Sequence, residues 1–278
     1  MKFFRYIGYF SQLRALLGFK AAIAFTVAHL RNKIAPPQDG KLASIPVGPY
    51  VFYFPFLDHF VGLFTEIFFK ETYYLAPTQK AIQAVDCGAN IGVALLYIKI
   101  RAPHARVRCF EPNPAARAVL EKNIKANGWE TSVEVLPCAL GGKKGSTEFF
   151  VTDTVATSSD GSVANYLEKR GRSLTSYAVD VDVLSNYIDR TIDLLKIDIE
   201  GPEFEVLEEL RAQKKFGPIA AIQLEYHYIP GFFTRSLSEI LVLLESEGFH
   251  TFVQANALAH QVINQDTAHT YMVFAWRS

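Results

Sequence analysis

The chain has 278 residues, half of them hydrophobic, with 28 lysines and arginines against 28 aspartates and glutamates. That balance excludes a general electrostatic attraction to nucleic acid, and the length suits one α/β domain with an N-terminal extension. Cys87, Cys109 and Cys138 are too few and too scattered for a disulfide framework or a zinc knuckle, so they read as core thiols of a reducing, cytoplasmic protein.

Residues 1–35 carry six positive charges (Lys2, Arg5, Arg14, Lys20, Arg31 and Lys33), and no acid precedes Asp39. Phe3, Phe4, Ile7, Phe10, Leu13, Leu16 and Leu17 recur among them at helical spacing. The apolar run from Ala21 to Ala28 is too short to cross a bilayer, which takes about 20 residues. The extension, residues 1–40, reads as a helical cap over an active site. The alternative is a basic amphipathic helix lying peripherally on an anionic membrane. Pro36-Pro37-Gln38-Asp39-Gly40 breaks the chain, and the main domain runs over 41–278.

Ile45 to Pro55 alternates as a hairpin with Gly48-Pro49 as its turn. Asp58 to Tyr74 predicts an aromatic helix packed on the sheet; His59 and Tyr73 are given structural roles in it rather than places at a cofactor mouth. Ala81 to Val85 is a short strand, and Ile91 to Ile100 a helix. Between them lies Asp86-Cys87-Gly88-Ala89-Asn90-Ile91-Gly92. Glycines at such a turn permit positive φ and close approach of a ligand, and the following helix aims unpaired N–H groups at it. A dinucleotide site would read G-x-G-x-x-G. Asp86 would repel a pyrophosphate but suits the ammonium and sulfonium of S-adenosylmethionine (SAM). Val107 to Pro112 is the next strand, and Glu111, at its C-terminal end, can take both hydroxyls of a ribose.

Asn113 and Pro114 then open a helix from Ala115 to Asn127, stopped by Gly128. Ser132 to Leu140 is a third strand and Gly145 to Thr152 a further strand-like piece. The polar run 153–163 predicts a loop over a pocket. Tyr177 to Val181 is a short added strand, followed by a helical piece to Tyr187. In Asp193-Leu194-Leu195-Lys196-Ile197-Asp198-Ile199-Glu200-Gly201-Pro202-Glu203 the apolar residues take one face while Lys196, Asp198 and Glu200 share the other. Buried charges are costly unless paired or used. They form either a self-satisfied Lys196–Asp198 pair or part of a site at the same crevice as the glycine turn. Ala220 to His227 ends a fifth strand at that rim, with Glu225 and His227 on one face. Ser236 to Glu247 is a helix, and 250–254 with 270–276 form a terminal strand pair.

The chain resembles the FkbM family of SAM-dependent methyltransferases from about Tyr50 to Trp276. The resemblance rests on the glycine turn Asp86–Gly92, on Phe110-Glu111-Pro112-Asn113-Pro114, and most specifically on Leu194-Leu195-Lys196-Ile197-Asp198-Ile199-Glu200-Gly201-Pro202-Glu203. It implies a Rossmann-like, class I sheet of seven strands, mostly parallel with the last antiparallel, and helices on both faces. It also implies O-methylation of a hydroxyl on a small metabolite, sugar or natural product. The turn from Asp86 through Gly88 and Asn90 to Gly92 would surround the methionine part of SAM. Glu111, followed by Pro112, would hold the ribose, and Cys138 and Ala139 would border the adenine.

An O-methyltransferase must align its acceptor and receive one proton. Asp198, Glu200 and His227 are the catalytic candidates at the rim. The same residues with Glu225 offer ligands for a hard divalent cation. Two other functions stay open: a catalytically silent SAM-binding module, and a nucleotide-dependent oxidoreductase on a related fold.

Overall fold

The computed structural model describes residues 2–36, 41–152, 174–228, 235–255 and 269–277. The expected loop at 153–163 and positions 37–40 of the expected break lie outside them. Two helices, α1 (Lys2–Leu17) and α2 (Phe19–Ile34), are separated by Gly18 at φ 83°. The hairpin β1 (Ala43–Val47) and β2 (Tyr50–Phe54) follows, then α3 (Leu57–Phe69). The main alternation comprises β3 (Gln83–Cys87), α4 (Val93–Arg101), β4 (Arg106–Phe110), α5 (Pro114–Ala126) and β5 (Val133–Leu136). Next are β6 (Ala139–Leu140), β7 (Gly145–Thr152), β8 (Leu174–Asp182) and a 3-10 turn (Leu184–Tyr187). The chain resumes with β9 (Leu194–Ile197), α6 (Glu203–Ala212), β10 (Ala221–Tyr228), α7 (Leu237–Ser246), β11 (His250–Ala255) and β12 (His269–Trp276).

Seven of these strands form one sheet in the order β11-β12-β10-β9-β3-β4-β5. The five from β10 to β5 are parallel, and β12 runs antiparallel to both its neighbours. This is the doubly wound α/β sheet expected from the alternation of apolar strands and helices. One face is covered by the aromatic core of α2, the hairpin, α3, α4 and α5, the other by α6 and α7. All three cysteines are buried free thiols.

Three local departures from the sequence reading have physical causes. The aromatic helix stops at Phe69 rather than Tyr74, and Glu71 turns the chain at φ 51°. The released segment crosses the sheet end, where Tyr74 N–H donates to Gln223 Oε1 at 2.9 Å and Gln223 Nε2 donates to the Tyr74 carbonyl. The third strand divides around Pro137, which has no N–H for a ladder. Beyond it β6 joins β8 and β7 in a separate three-stranded sheet. The third departure is that β9 ends at Ile197, so strand alternation does not carry Glu200.

The hairpin is tied to the sheet domain by two asparagines of α5 and its C-cap. Asn123 Oδ1 accepts from Tyr53 N–H at 2.7 Å, while Nδ2 donates to the carbonyls of Tyr53 and Ile91. Asn127 brackets Val51 in the same way, at 2.9 and 2.8 Å. On the other side, Phe25 of α2 sits 5.0 Å from the Phe64 ring of α3, and Asn32 Nδ2 donates to Ser44 O.

Candidate active site

The turn after β3 is shaped by contact as much as by φ. Gly88 has φ 82°, and a Cβ there would lie 1.8 Å from the Asp198 carbonyl oxygen. No other residue fits without moving the β9 end of the sheet. The N–H groups of Gly88 and Ala89 both donate to Phe110 O, at 3.0 and 2.9 Å. Asn90, at φ 50°, keeps its left-handed backbone with a side chain that accepts from Ile91 N–H at 2.7 Å. Gly92 is the N-cap of α4 at φ 94°, and a Cβ there would meet Leu120 at 2.8 Å.

Glu111 locks this turn to the next one. Its Oε2 accepts from Asn90 N–H at 2.7 Å and its Oε1 from Asn113 N–H at 2.8 Å. Asn113 in turn caps α5 by accepting from Ala115 N–H, with Pro114 behind it. Burial pushes the Glu111 carboxyl up to about 7, against the pull of those two N–H donors.

One cavity gathers most of the residues singled out from sequence. Gly88, Asn90, Glu111 and Pro112 line it, and Cys138 and Ala139 lie along its far side where the chain turns out of β5. Asp198 and Glu200 close its other end, and His59, Leu63, Ile67 and Tyr73 form the facing wall. Helix α3, not α1 or α2, therefore covers this space among the described residues. His59 and Tyr73 belong to the cavity, contrary to the purely structural roles expected for them.

Asp86 and Gly92 do not line the cavity. Asp86 is fully buried, because the β3–β9 register sets it opposite Lys196, whose Nζ lies 2.9 Å from Asp86 Oδ1. The same ammonium lies 3.5 Å from Asp198 Oδ2 and donates to the carbonyls of Gly88 and Cys87, at 3.0 and 3.3 Å. Burial works against its charge, yet the Asp86 and Asp198 carboxylates outweigh that and hold its pKa above the ordinary lysine value. Asp86 is thus the counter-charge of Lys196 rather than a group facing a ligand. Gly92 acts through helix geometry alone.

Beyond Asp198 the chain bends through Glu200 at φ 58° and Gly201 at φ 146°. A non-glycine residue in the left-handed region stores backbone strain of about 1–3 kcal/mol, which is found most often at functional sites. The bend delivers Glu200 Oε2 to 3.4 Å from His227 Nε2. Asp198 Oδ1 and Glu225 Oε1 lie 4.0 and 3.9 Å from the same nitrogen. The other ring nitrogen, Nδ1, is 2.9 Å from Glu203 Oε1, which also accepts from Gly201 N–H. Burial opposes a charge on His227, but Glu200, the Glu203 hydrogen bond and Asp198 raise its pKa well above the usual value. The surrounding carboxylates therefore favour the imidazolium, in contrast to the near-ordinary pKa on which its expected role as a base relied. It does not line the cavity but stands behind Asp198 and Glu200.

Tyr73 completes the cluster. Its hydroxyl lies 2.8 Å from Asp198 Oδ2 and 3.1 Å from Glu225 Oε2, and it has one proton for two acceptors. Burial and then the Asp198 charge push the Glu225 carboxyl up to about 8, which favours its protonated form and so a second proton for these contacts. Asp198, Glu200 and His227 each present a ligand atom within 4.8 Å of the others, while Glu225, expected in the same metal group, falls outside it. Sequence reasoning assigned no part to Glu203 or to the phenol of Tyr73. Position 203 sits inside the charged motif, which was the available signal for the first; for Tyr73 nothing local marks its reach to β10.

A family model described as Methyltransferase FkbM domain matches residues 86–251. Methyltransferase sdnD of Sordaria araneosa is 31% identical, over 52% of this chain and 67% of that protein. The 31-O-demethyl-FK506 methyltransferase FkbM of Streptomyces tacrolimicus is 26% identical, over 66% of this chain and 80% of its own length. A solved FkbM methyltransferase from Methylobacillus flagellatus aligns with a TM-score of 0.48 at 15% identity, covering 97% of this chain and 59% of that one.

Proposed function

The chain belongs to the FkbM family of methyltransferases, and on that premise we propose that it transfers a methyl group from SAM to a hydroxyl of a small metabolite, sugar or natural product. Membership removes the oxidoreductase alternative. The observation that carries the reading is the single cavity in which Glu111 stands between the Gly88–Asn90 turn and Cys138–Ala139, with Asp198 and Glu200 at one end. Its lining suits the parts of SAM in order: carboxylates for a cationic methionine end, Glu111 for a diol, and small apolar groups for a purine. O-methylation is further supported by the name of the Streptomyces tacrolimicus relative, which acts on an O-demethyl compound.

When bound, SAM supplies a methyl group already activated on a sulfonium. The protein's own work is to hold, orient and take up a proton. Lys196 fixes the glycine turn through the Gly88 carbonyl, and Tyr73 holds Asp198 and Glu225 in place. Glu200 lines the cavity beside Asp198, whose Oδ2 is held by Tyr73 and Lys196, and we assign proton acceptance from the acceptor hydroxyl to Glu200. Burial, with Asp198 and Glu203 beside it, raises the pKa of Glu200 against the opposing His227 charge, which makes it a stronger base than an ordinary carboxylate.

A divalent cation is the second reading, favoured by the three ligand atoms within 4.8 Å. Asp198, Glu200 and His227 would hold it, and it would polarise the acceptor oxygen. A protonated His227 would offset the same carboxylates without a metal, and chelation separates the two readings. The test is a mass-spectrometric screen of hydroxylated metabolites with SAM. Gain of one methyl group on a hydroxyl is expected. Tight SAM binding with no product across the screen would instead favour a silent binding module.

A further inference from the structure

Helix α2 has two apolar faces. Ala22 and Phe25 are fully buried against the domain, as required of a packed helix. On the opposite side Phe19, Ile23, Val27, Leu30 and Ile34 are exposed, with Val27 at 59% and Ile34 at 82%. Their spacing of four, four, three and four residues gathers them within an arc of about 80°, in a stripe about 22 Å long. Of the other exposed apolar groups, Phe252 and Trp276 share a face of the β11–β12 edge, while Val51, Phe56, Tyr74 and Val242 come from different elements, and single groups of that kind are ordinary. A continuous stripe is not ordinary, and it marks an interaction surface.

The charges beside it say what the surface meets. At 100° per residue Lys20 and Arg31 fall along one edge of the stripe and Lys33 along the other; all three are exposed. Arg14 of α1 lies over the Phe19 ring, 6.0 Å from its centre. No acid occurs anywhere in residues 1–38. A second copy of this helix would set these cations against their own equivalents, with no acid of the segment to compensate. An anionic surface meets both the apolar stripe and the basic margins. No described helix is long and apolar enough to cross a membrane, so the segment lies along such a surface rather than through it. We propose that this face of α2 docks the protein on an anionic lipid surface, with Lys20, Arg31 and Lys33 at the headgroups and Phe19 to Ile34 in the acyl boundary.

The test is flotation of the full-length protein with vesicles of phosphatidylcholine alone and of phosphatidylcholine containing phosphatidylserine. Binding to the anionic vesicles is expected at low salt, weakening as salt screens the headgroups. Val27→Asp with Leu30→Asp should reduce it at least about tenfold, with an unchanged melting temperature because both side chains are already exposed. Lys20→Glu with Arg31→Glu should cost about tenfold on anionic vesicles and keeps the test alive should the first variant misfold. Failure to bind at low salt, or equal binding to neutral vesicles, overturns the proposal. So does a dimer in sedimentation that Val27→Asp dissociates, which would give the stripe to a second copy.

Discussion

Lys196 and Asp86 face each other across β9 and β3 at 2.9 Å, deep in the sheet, and the same ammonium donates to the Gly88 carbonyl of the cofactor turn. Stability and binding geometry therefore share one cation. Lys196→Met leaves Asp86 charged and unpaired, which should cost on the order of 3–5 kcal/mol. Adding Asp86→Leu should recover most of that stability but not the turn, so the double variant should melt near the parent and still bind SAM weakly. Calorimetric melting and SAM titration of the two variants check both halves.

Glu111→Ala would be an ambiguous probe of the cofactor site. It strips the acceptor from two backbone N–H groups, of Asn90 and Asn113, at about 1–3 kcal/mol for each buried donor left unsatisfied. Glu111→Gln keeps one carbonyl oxygen and should melt closer to the parent. A tenfold or greater loss of SAM affinity in that variant, about 1.4 kcal/mol, is expected from isothermal titration. Unchanged affinity would remove Glu111 from the ribose.

Glu200→Gln should lower turnover by about 100- to 10,000-fold, the usual worth of a general base, while SAM affinity stays near the parent's. The parent's turnover should fall as pH drops through a value above the ordinary carboxylate range, because the base must be deprotonated. A pH–rate profile that stays flat down to pH 5 would exclude this role.

On the metal-free reading a protonated His227 offsets the Asp198 and Glu200 carboxylates beside it. Dialysis against a chelator should therefore leave turnover unchanged. His227→Ala should impair turnover and stability together, by removing the cation that offsets the carboxylates. Loss of activity on chelation with recovery on added Mg²⁺ would establish the metal-dependent reading.

Glu225 binds its proton more tightly in the folded protein, with a pKa of about 8, than in the unfolded chain. Its contribution to stability is full below the unfolded value of about 4.3 and is lost as pH rises through the folded one. Glu225→Gln keeps a neutral group of similar shape. It should melt close to the parent below about pH 4 and above it at pH 9, the gap opening as pH rises between the two values. Thermal melts at the two pH values decide it.

What could be read from sequence was what neighbouring residues decide. Gly88, Asn90, Asn113 and Pro114 act on backbone within a few positions, so the cofactor turn and the α5 cap were both legible. Glu111 was legible because it ends a strand at a known distance from the turn. Asp86 was misread because its partner lies 110 positions away and is set by the register of β3 on β9. Tyr73 depends on a helix that stops at Phe69 and on Gln223 of a distant strand, which holds the neighbouring Tyr74. The division of the third strand could have been anticipated, since Pro137 cannot take part in a ladder. His227 could be placed at the rim, but its charge follows from Glu200 and Glu203, which only a bend at positive φ brings to it.

The family match begins at Asp86, yet His59, Leu63, Ile67 and Tyr73, one whole wall of the cavity, come from before it. The cavity is thus assembled from two stretches of chain, and changes confined to residues 57–75 would reshape that part of its lining while leaving every residue inside the family match as it stands.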